Sequence, residues 1–302
     1  ARWRLTPAPS TVGCASKTAD TVRPAMTELF FAQAASSAAL PSKTSRRWKV
    51  RMGENIASAP RSAGATGGKA RSTGGTARLT ARERLQRPRM TTTLIDDIET
   101  RREGGTLVIR FARPAKKNAL TLAMYERMNA ALTEAAADKS VTAVVFSRPS
   151  ETFTAGNELG DFLQNPPQDE SAPVFRFIRA LGAFEKPLVA AVDGKAVGLG
   201  FTMLLHCDFV YVTERASLTT PFVNLGLVPE AASSLILPAL VGHRVASEIL
   251  ILGEAVSGAR AAQLGIANAV VAPEQVEAKA LEVARVLGEK PPTALKLTDR
   301  KS

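Results

Sequence analysis

From about residue 90 onward the sequence predicts an α/β fold, with short buried strands alternating with amphipathic helices. Three observations predict it: compact apolar or β-branched runs, apolar stripes at helical spacing between them, and glycine-containing turns at the junctions. The residues ahead of this region show neither period.

That leading segment accounts for the charge of the whole chain. The 302 residues carry a net charge of +11. Residues 1–89 hold 17 Lys/Arg and 4 Asp/Glu, a charge of 17 − 4 = +13, which leaves 11 − 13 = −2 for residues 90–302. The basic balance therefore gives no reason to read the second region as a nucleic-acid binder. Residues 1–89 are rich in Ala, Ser, Thr, Gly and Arg, and their one apolar patch, Leu29-Phe-Phe-Ala32, is too small for a core. Three readings compete: an organellar transit peptide, a nucleic-acid-binding tail, and non-native sequence upstream of a start at Met90. No apolar run reaches the roughly 18 residues that span a bilayer. The two cysteines, Cys14 and Cys207, are too few and too far apart for a disulfide framework, which favours a reducing compartment.

The elements follow in order. Thr106–Phe111 reads as a strand opened by the Gly104-Gly105 turn. Thr121 can cap a helix whose apolar positions Met124, Met128, Leu132 and Ala135 carry it to about Ala137. Residues 141–146, 187–192 and 209–212 read as three more strands. Helical patterns cover roughly 172–184, 242–253, 258–264 and 274–288.

Four stretches carry candidate chemistry. Residues 113–120, Arg-Pro-Ala-Lys-Lys-Asn-Ala-Leu, join a strand to a helix and read alone as a basic loop. Residues 153–159, Phe-Thr-Ala-Gly-Asn-Glu-Leu, and 193–200, Asp-Gly-Lys-Ala-Val-Gly-Leu-Gly, each form a glycine turn after a buried strand. Such glycines serve either close packing or the exposure of backbone N–H groups to an anion. In residues 219–234 Glu230 stands in an apolar run. It reads either as a general base with a raised pKa or as a helix-start residue following Pro229. The adjacent His206, Cys207 and Asp208 read as a helix end entering a strand. Glu158 and Asp161 read as solvated or helix-start groups. Two histidines without clustered ligands argue against a metal site.

The order and spacing of these four stretches resemble the crotonase (enoyl-CoA hydratase/isomerase) superfamily over nearly all of residues 100–300. The resemblance implies a ClpP-like spiral of repeated ββα units, here with a shortened helical C-terminal region. It implies that the amides of Asn157 and Leu199 hold a thioester oxygen. It also implies that Lys116, Lys117, Ala119 and Leu120, with Ala155, Gly156, Glu158 and Leu159, cradle the CoA moiety. CoA is then part of an acyl-CoA substrate, and no separate cofactor is expected. The positions of the two hydratase glutamates carry Thr202 and Phe222, whereas residues 220–234 resemble the peroxisomal type of Δ3,Δ2-enoyl-CoA isomerase with Glu230 as the single base. The implied activity is a shift of the 3-enoyl double bond to the 2-position. The alternatives are hydration or another acyl-CoA reaction, and a non-catalytic acyl-CoA- or RNA-binding protein. Homotrimers or dimers of trimers are expected, in the cytoplasm, or in an organellar matrix if the leader is a transit peptide.

Overall fold

Strands whose residues are apolar almost without interruption need cover on both faces. The computed structural model, which describes residues 92–148 and 151–298, provides that cover. The readings made for residues 1–89 and for a start at Met90 lie outside the described residues.

A meander of β1 (Thr92–Ile95), β2 (Ile98–Glu103) and β3 (Thr106–Phe111) pairs antiparallel. Helix α1 (Leu122–Ala137) follows, with Thr121 Oγ1 accepting from the Met124 amide at 3.3 Å. Then come β4 (Ala143–Arg148), β5 (Thr152–Thr154), α2 (Leu159–Gln164), α3 (Pro173–Ala183), β6 (Leu188–Val192), β7 (Lys195–Val197) and α4 (Leu199–Thr202), which tightens into a 3-10 turn at Met203–His206. The chain continues through β8 (Phe209–Val212), β9 (Ser217–Thr219), α5 (Ser233–Val241), α6 (His243–Ser247), β10 (Val256–Ser257), α7 (Gly258–Gln263), β11 (Ala269–Val270), α8 (Val276–Gly288) and α9 (Pro292–Thr298).

Two sheets result. The larger runs β1-β2-β3-β4-β6-β8-β11, parallel from β3 onward, and the smaller runs β10-β9-β7-β5. Each pass places one strand in the large sheet and the next in the small one: β4 then β5, β6 then β7, β8 then β9. Val145, Val189 and Phe209 stand in register across the large sheet, while Thr152, Lys195 and Ser217 do so across the small one. This is the expected spiral of ββα units.

The alternation along the strands divides the core. Val108, Val145, Val189 and Ala191 face α8 through its Val276, Ala280 and Ala284. Ile109, Val144, Phe146 and Ala190 face the other way, into the core that includes α1 and α3. There Tyr125 and Phe177 lie 5.7 Å apart, and Asn129 Nδ2 donates to Pro173 O at 2.9 Å. No helix among the described residues is long and apolar enough to cross a membrane.

Two boundaries differ from the sequence reading. Strand β4 begins at Ala143, because Val141 and Thr142 form the lead-in that bonds to Asp138 and Gly105. The helix expected over 242–253 divides into α6 and a π-helical turn, Glu248–Leu252. The wider turn directs Ile249 and Leu250 inward and leaves Ile251 and Leu252 exposed.

A buried carboxylate ties successive units together. Asp193, just past β6, accepts from Thr213 Oγ1 at 2.6 Å and from Arg215 Nε at 3.2 Å, both just past β8. Asp193→Ala leaves the buried Thr213 hydroxyl without its acceptor. It should lower unfolding stability by about 2–3 kcal/mol, read from urea denaturation midpoints.

Candidate active site

Lys117 and Asn118 both take left-handed backbone conformations, φ 52° and 53°, before α1 begins. Asn118 is the less surprising of the two, because its short amide can satisfy the turn locally. Its buried side chain does so across the fold. Oδ1 accepts from the Arg113 amide at 2.9 Å, while Nδ2 donates to Thr152 O at 2.9 Å and Phe153 O at 3.2 Å. The basic loop is thereby fastened to β5.

From there the two segments run side by side. The Ala155 amide donates to Lys117 O at 3.0 Å, Leu120 N to Gly156 O at 2.8 Å, and Glu158 N to Leu120 O at 2.9 Å. In a parallel bridge of this form the central residue, Asn157, points its own N–H away from Leu120.

The two turns touch. A Cβ on Gly156 would stand 2.8 Å from Val197 O, and one on Gly200 would stand 2.4 Å from Thr154 Cγ2. Leu199 is the first residue of α4, where a backbone N–H has no acceptor within the helix. Asn157 and Leu199 thus stand on glycine turns that touch one another.

Glu230 completes the arrangement. Two carboxylates are buried among the described residues, Asp193 and Glu230. Asp193 is matched by Arg215, whereas Oε1 of Glu230 has no hydrogen-bond partner. Burial alone raises the pKa of this carboxyl to about 7. The Tyr125 hydroxyl donates to Asn157 Oδ1, and burial together with the charge of Glu230 raises the tyrosine well above its usual range. Glu230, Tyr125 and Asn157 consequently share one buried region.

The helix-start reading of Glu230 is corrected by the backbone. Helix α5 begins at Ser233, after Ala231 and Ala232, which are both left-handed at φ 52°. A non-glycine residue there costs roughly 1 kcal/mol or more. Glu230 thus precedes the helix, and its own carbonyl receives the Ser233 amide at 2.9 Å and the Ser233 hydroxyl at 2.6 Å.

The other candidates fall into two groups. Lys116 and Lys117 are exposed, Ala119, Ala155 and Glu158 half-buried, Leu120 and Gly156 buried, and Leu159 is exposed at the start of α2. Arg113 donates to Glu158 at 2.9 Å and holds that carboxylate below its ordinary pKa. Asp161 accepts from the Leu122 amide at 2.7 Å, so it caps α1 from across the fold. His206 and Asp208 each reach a backbone partner, Ala231 O at 2.9 Å and Leu188 N at 2.7 Å. Tyr125 was missed in the sequence reading; its signal was a polar-tipped aromatic on the apolar face of α1. A cavity of about 840 Å³ opens by Leu132, Phe184, Lys186 and Leu295, but no residue of the two glycine turns or the Glu230 segment lines it.

A family model described as enoyl-CoA hydratase/isomerase matches residues 101–301. The chain belongs to this family. Among solved structures it is similar to OdaA from Pseudomonas aeruginosa, 48% identical with a TM-score of 0.66, covering 68% of this chain and 84% of that one. Among curated relatives, enoyl-CoA delta isomerase 2 of Rattus norvegicus is 34% identical over 202 residues, 65% of this chain and 51% of the relative. A 4-chlorobenzoyl coenzyme A dehalogenase of Arthrobacter is 33% identical over 195 residues, 62% of this chain and 70% of that protein. The chain thus spans about half the length of the delta isomerase it matches. The crotonase frame is shared by relatives named for different reactions.

The unpaired carboxyl gives a prediction independent of activity. A folded-state pKa raised from 4.5 to about 7 carries no penalty below pH 4.5, a growing one between those values, and the full one above 7. Glu230→Gln should therefore leave stability nearly unchanged at pH 4 and raise it by up to about 3 kcal/mol at pH 8, measured by chemical denaturation at both pH values.

Proposed function

We propose that this chain is an acyl-CoA enzyme that moves the double bond of a 3-enoyl-CoA to the 2-position. The observation that carries the reading is Glu230, a buried carboxyl without a partner, in the region reached by the paired turns of Asn157 and Leu199. A carboxyl with a pKa near 7 suits a base that must also return its proton near neutral pH.

Glu230 takes a proton from C2, which the neighbouring thioester acidifies. The C–H electron pair moves into a C1–C2 double bond, and negative charge gathers on the thioester oxygen. The amides of Asn157 and Leu199 donate to that oxygen, each contributing about 3–4 kcal/mol by analogy with measured oxyanion donors. Protonated Glu230 then delivers the same proton to C4, and the double bond settles between C2 and C3. Water is not consumed, so one carboxylate suffices and no cofactor enters the balance. CoA itself would lie along residues 116–120 and 155–159, with Lys116 and Lys117 presenting charge to its phosphates.

Support for isomerisation over hydration comes from two positions. Where the resemblance expects hydratase glutamates, this chain carries Thr202 and Phe222, both buried, and Phe222 lies beside Gly198. Assembly as homotrimers or dimers of trimers belongs to the same proposal. Exposed Leu235 and Leu240 on α5, with Ile251 and Leu252 on the π-helical turn, offer apolar surface for it. A cytoplasmic location, part of the same reading, rests on the sparse use of cysteine.

The test uses the purified full chain with 3-enoyl-CoA and, separately, 2-enoyl-CoA, with products separated and weighed. Conversion of the first to 2-enoyl-CoA is expected. Glu230→Gln should lower it by about 10²–10⁴-fold with little change in KM. The rate should rise with pH through about 7 as Glu230 loses its proton. A 3-hydroxyacyl-CoA product from the second substrate would instead establish hydration.

A further inference from the structure

We infer that His206 is a positioning residue for Glu230, acting through the backbone of the left-handed turn that follows the carboxylate. The inference rests on Glu230 being the base.

Three observations meet at this turn. Ala231 and Ala232 adopt φ 52° in succession, a conformation that alanine does not favour, so neighbouring structure must impose it. The Glu230 carbonyl is held from the C-terminal side by the Ser233 amide and hydroxyl. The Ala231 carbonyl is held from a different element, because His206 Nε2 lies 2.9 Å away at the end of the 3-10 turn that continues α4. A carbonyl only accepts, so Nε2 carries the proton and donates. Gly182 on α3 lies beside the imidazole: a Cβ there would be 3.8 Å from Nδ1, and any larger side chain would crowd the ring.

The element that bears His206 gives the contact its meaning. Helix α4 starts at Leu199, and Met203–His206 is its direct continuation. One short helical segment therefore presents the Leu199 amide at one end and grips the Glu230 turn at the other. Donor and base are set relative to each other by this rod and one hydrogen bond. Displacing a reacting group by about 1 Å is enough to cost on the order of 10²-fold in rate. Because the bond is to backbone and neither His206 nor Ala231 belongs to the segments assigned to CoA, its loss should act on turnover rather than on substrate binding.

The experiment compares His206→Gln, whose amide can reach the Ala231 carbonyl, with His206→Asn, which is one methylene shorter, and with His206→Leu, which has no donor. Rates for 3-enoyl-CoA are measured for each beside Glu230→Gln. His206→Asn and His206→Leu should lose about 10–100-fold in kcat with KM within about twofold, and His206→Gln should stay within about threefold of the parent. If His206→Leu fails to fold, the Asn and Gln pair carries the comparison. Equal kcat for Asn and Gln, whether both high or both low, overturns the inference, as does a loss that appears in KM. A silent Glu230→Gln beside a fully active His206→Asn overturns this inference alone. A Glu230→Gln protein that turns over at the parent rate overturns the base assignment and this inference with it.

Discussion

The site depends on how closely two glycine turns approach one another as β5 and β7 leave the small sheet. Gly156 lies against the Val197 carbonyl and Gly200 against the Thr154 side-chain methyl. A side chain on either glycine would clash there, so the segments that carry Asn157 and Leu199 approach as closely as glycine allows. Everything else braces this contact. Asn118 ties the preceding loop to β5, the Gly198 amide donates to Thr219 O at the end of β9, and the in-register small sheet sets the height of each turn. If the proposed donors lie on these turns, a frame held this rigidly would reorganise little as charge develops, which is the physical basis of oxyanion stabilisation.

Glu230 makes the opposite choice. The turns are densely satisfied, whereas the carboxyl has an oxygen with no protein partner, beside two backbone conformations that alanine resists. Each of these is costly to folding, and both occur within three residues of one another. Misfit of this kind concentrates where chemistry is done, because a group satisfied in the resting protein has little reason to take or give a proton. Asp193 is the internal contrast: it is equally buried, but matched by Thr213 and Arg215, and it works as a fastener.

The central strands of the large sheet and the long helices were legible in the sequence, whereas the short strands of the small sheet and the outer strands β1, β2 and β11 were not. Strands β3, β6 and β8 and helices α1, α3 and α8 emerge from apolar runs and helical spacing close to their observed bounds, because burial on one or both faces dictates residue type. The glycine turns were equally visible, as was Glu230 in its apolar surroundings. The pairing of Asn157 with Leu199 was not available from spacing, since it arises from contact between turns 42 positions apart and came only through the family resemblance. Tyr125 and Asn118 were passed over for a similar reason. A tyrosine on an apolar helix face and an asparagine in a loop look ordinary until the partners of their polar atoms are known. The π-helical turn after α6 escaped because an extra residue in a helix leaves no mark in composition.

Three successive ββα passes each carry one residue of the candidate site: Asn157 follows β5, Leu199 follows β7, and Glu230 follows β9. No single pass contains a working constellation, and the parallel strands that align them are joined only through crossovers. Assembly therefore waits on slow, non-local pairing. During synthesis the two donor turns emerge first and the carboxylate last. The acid is therefore the last of the three to leave the ribosome, and the core residues that follow it, Leu237 and Ile249 among them, must still arrive to complete its burial.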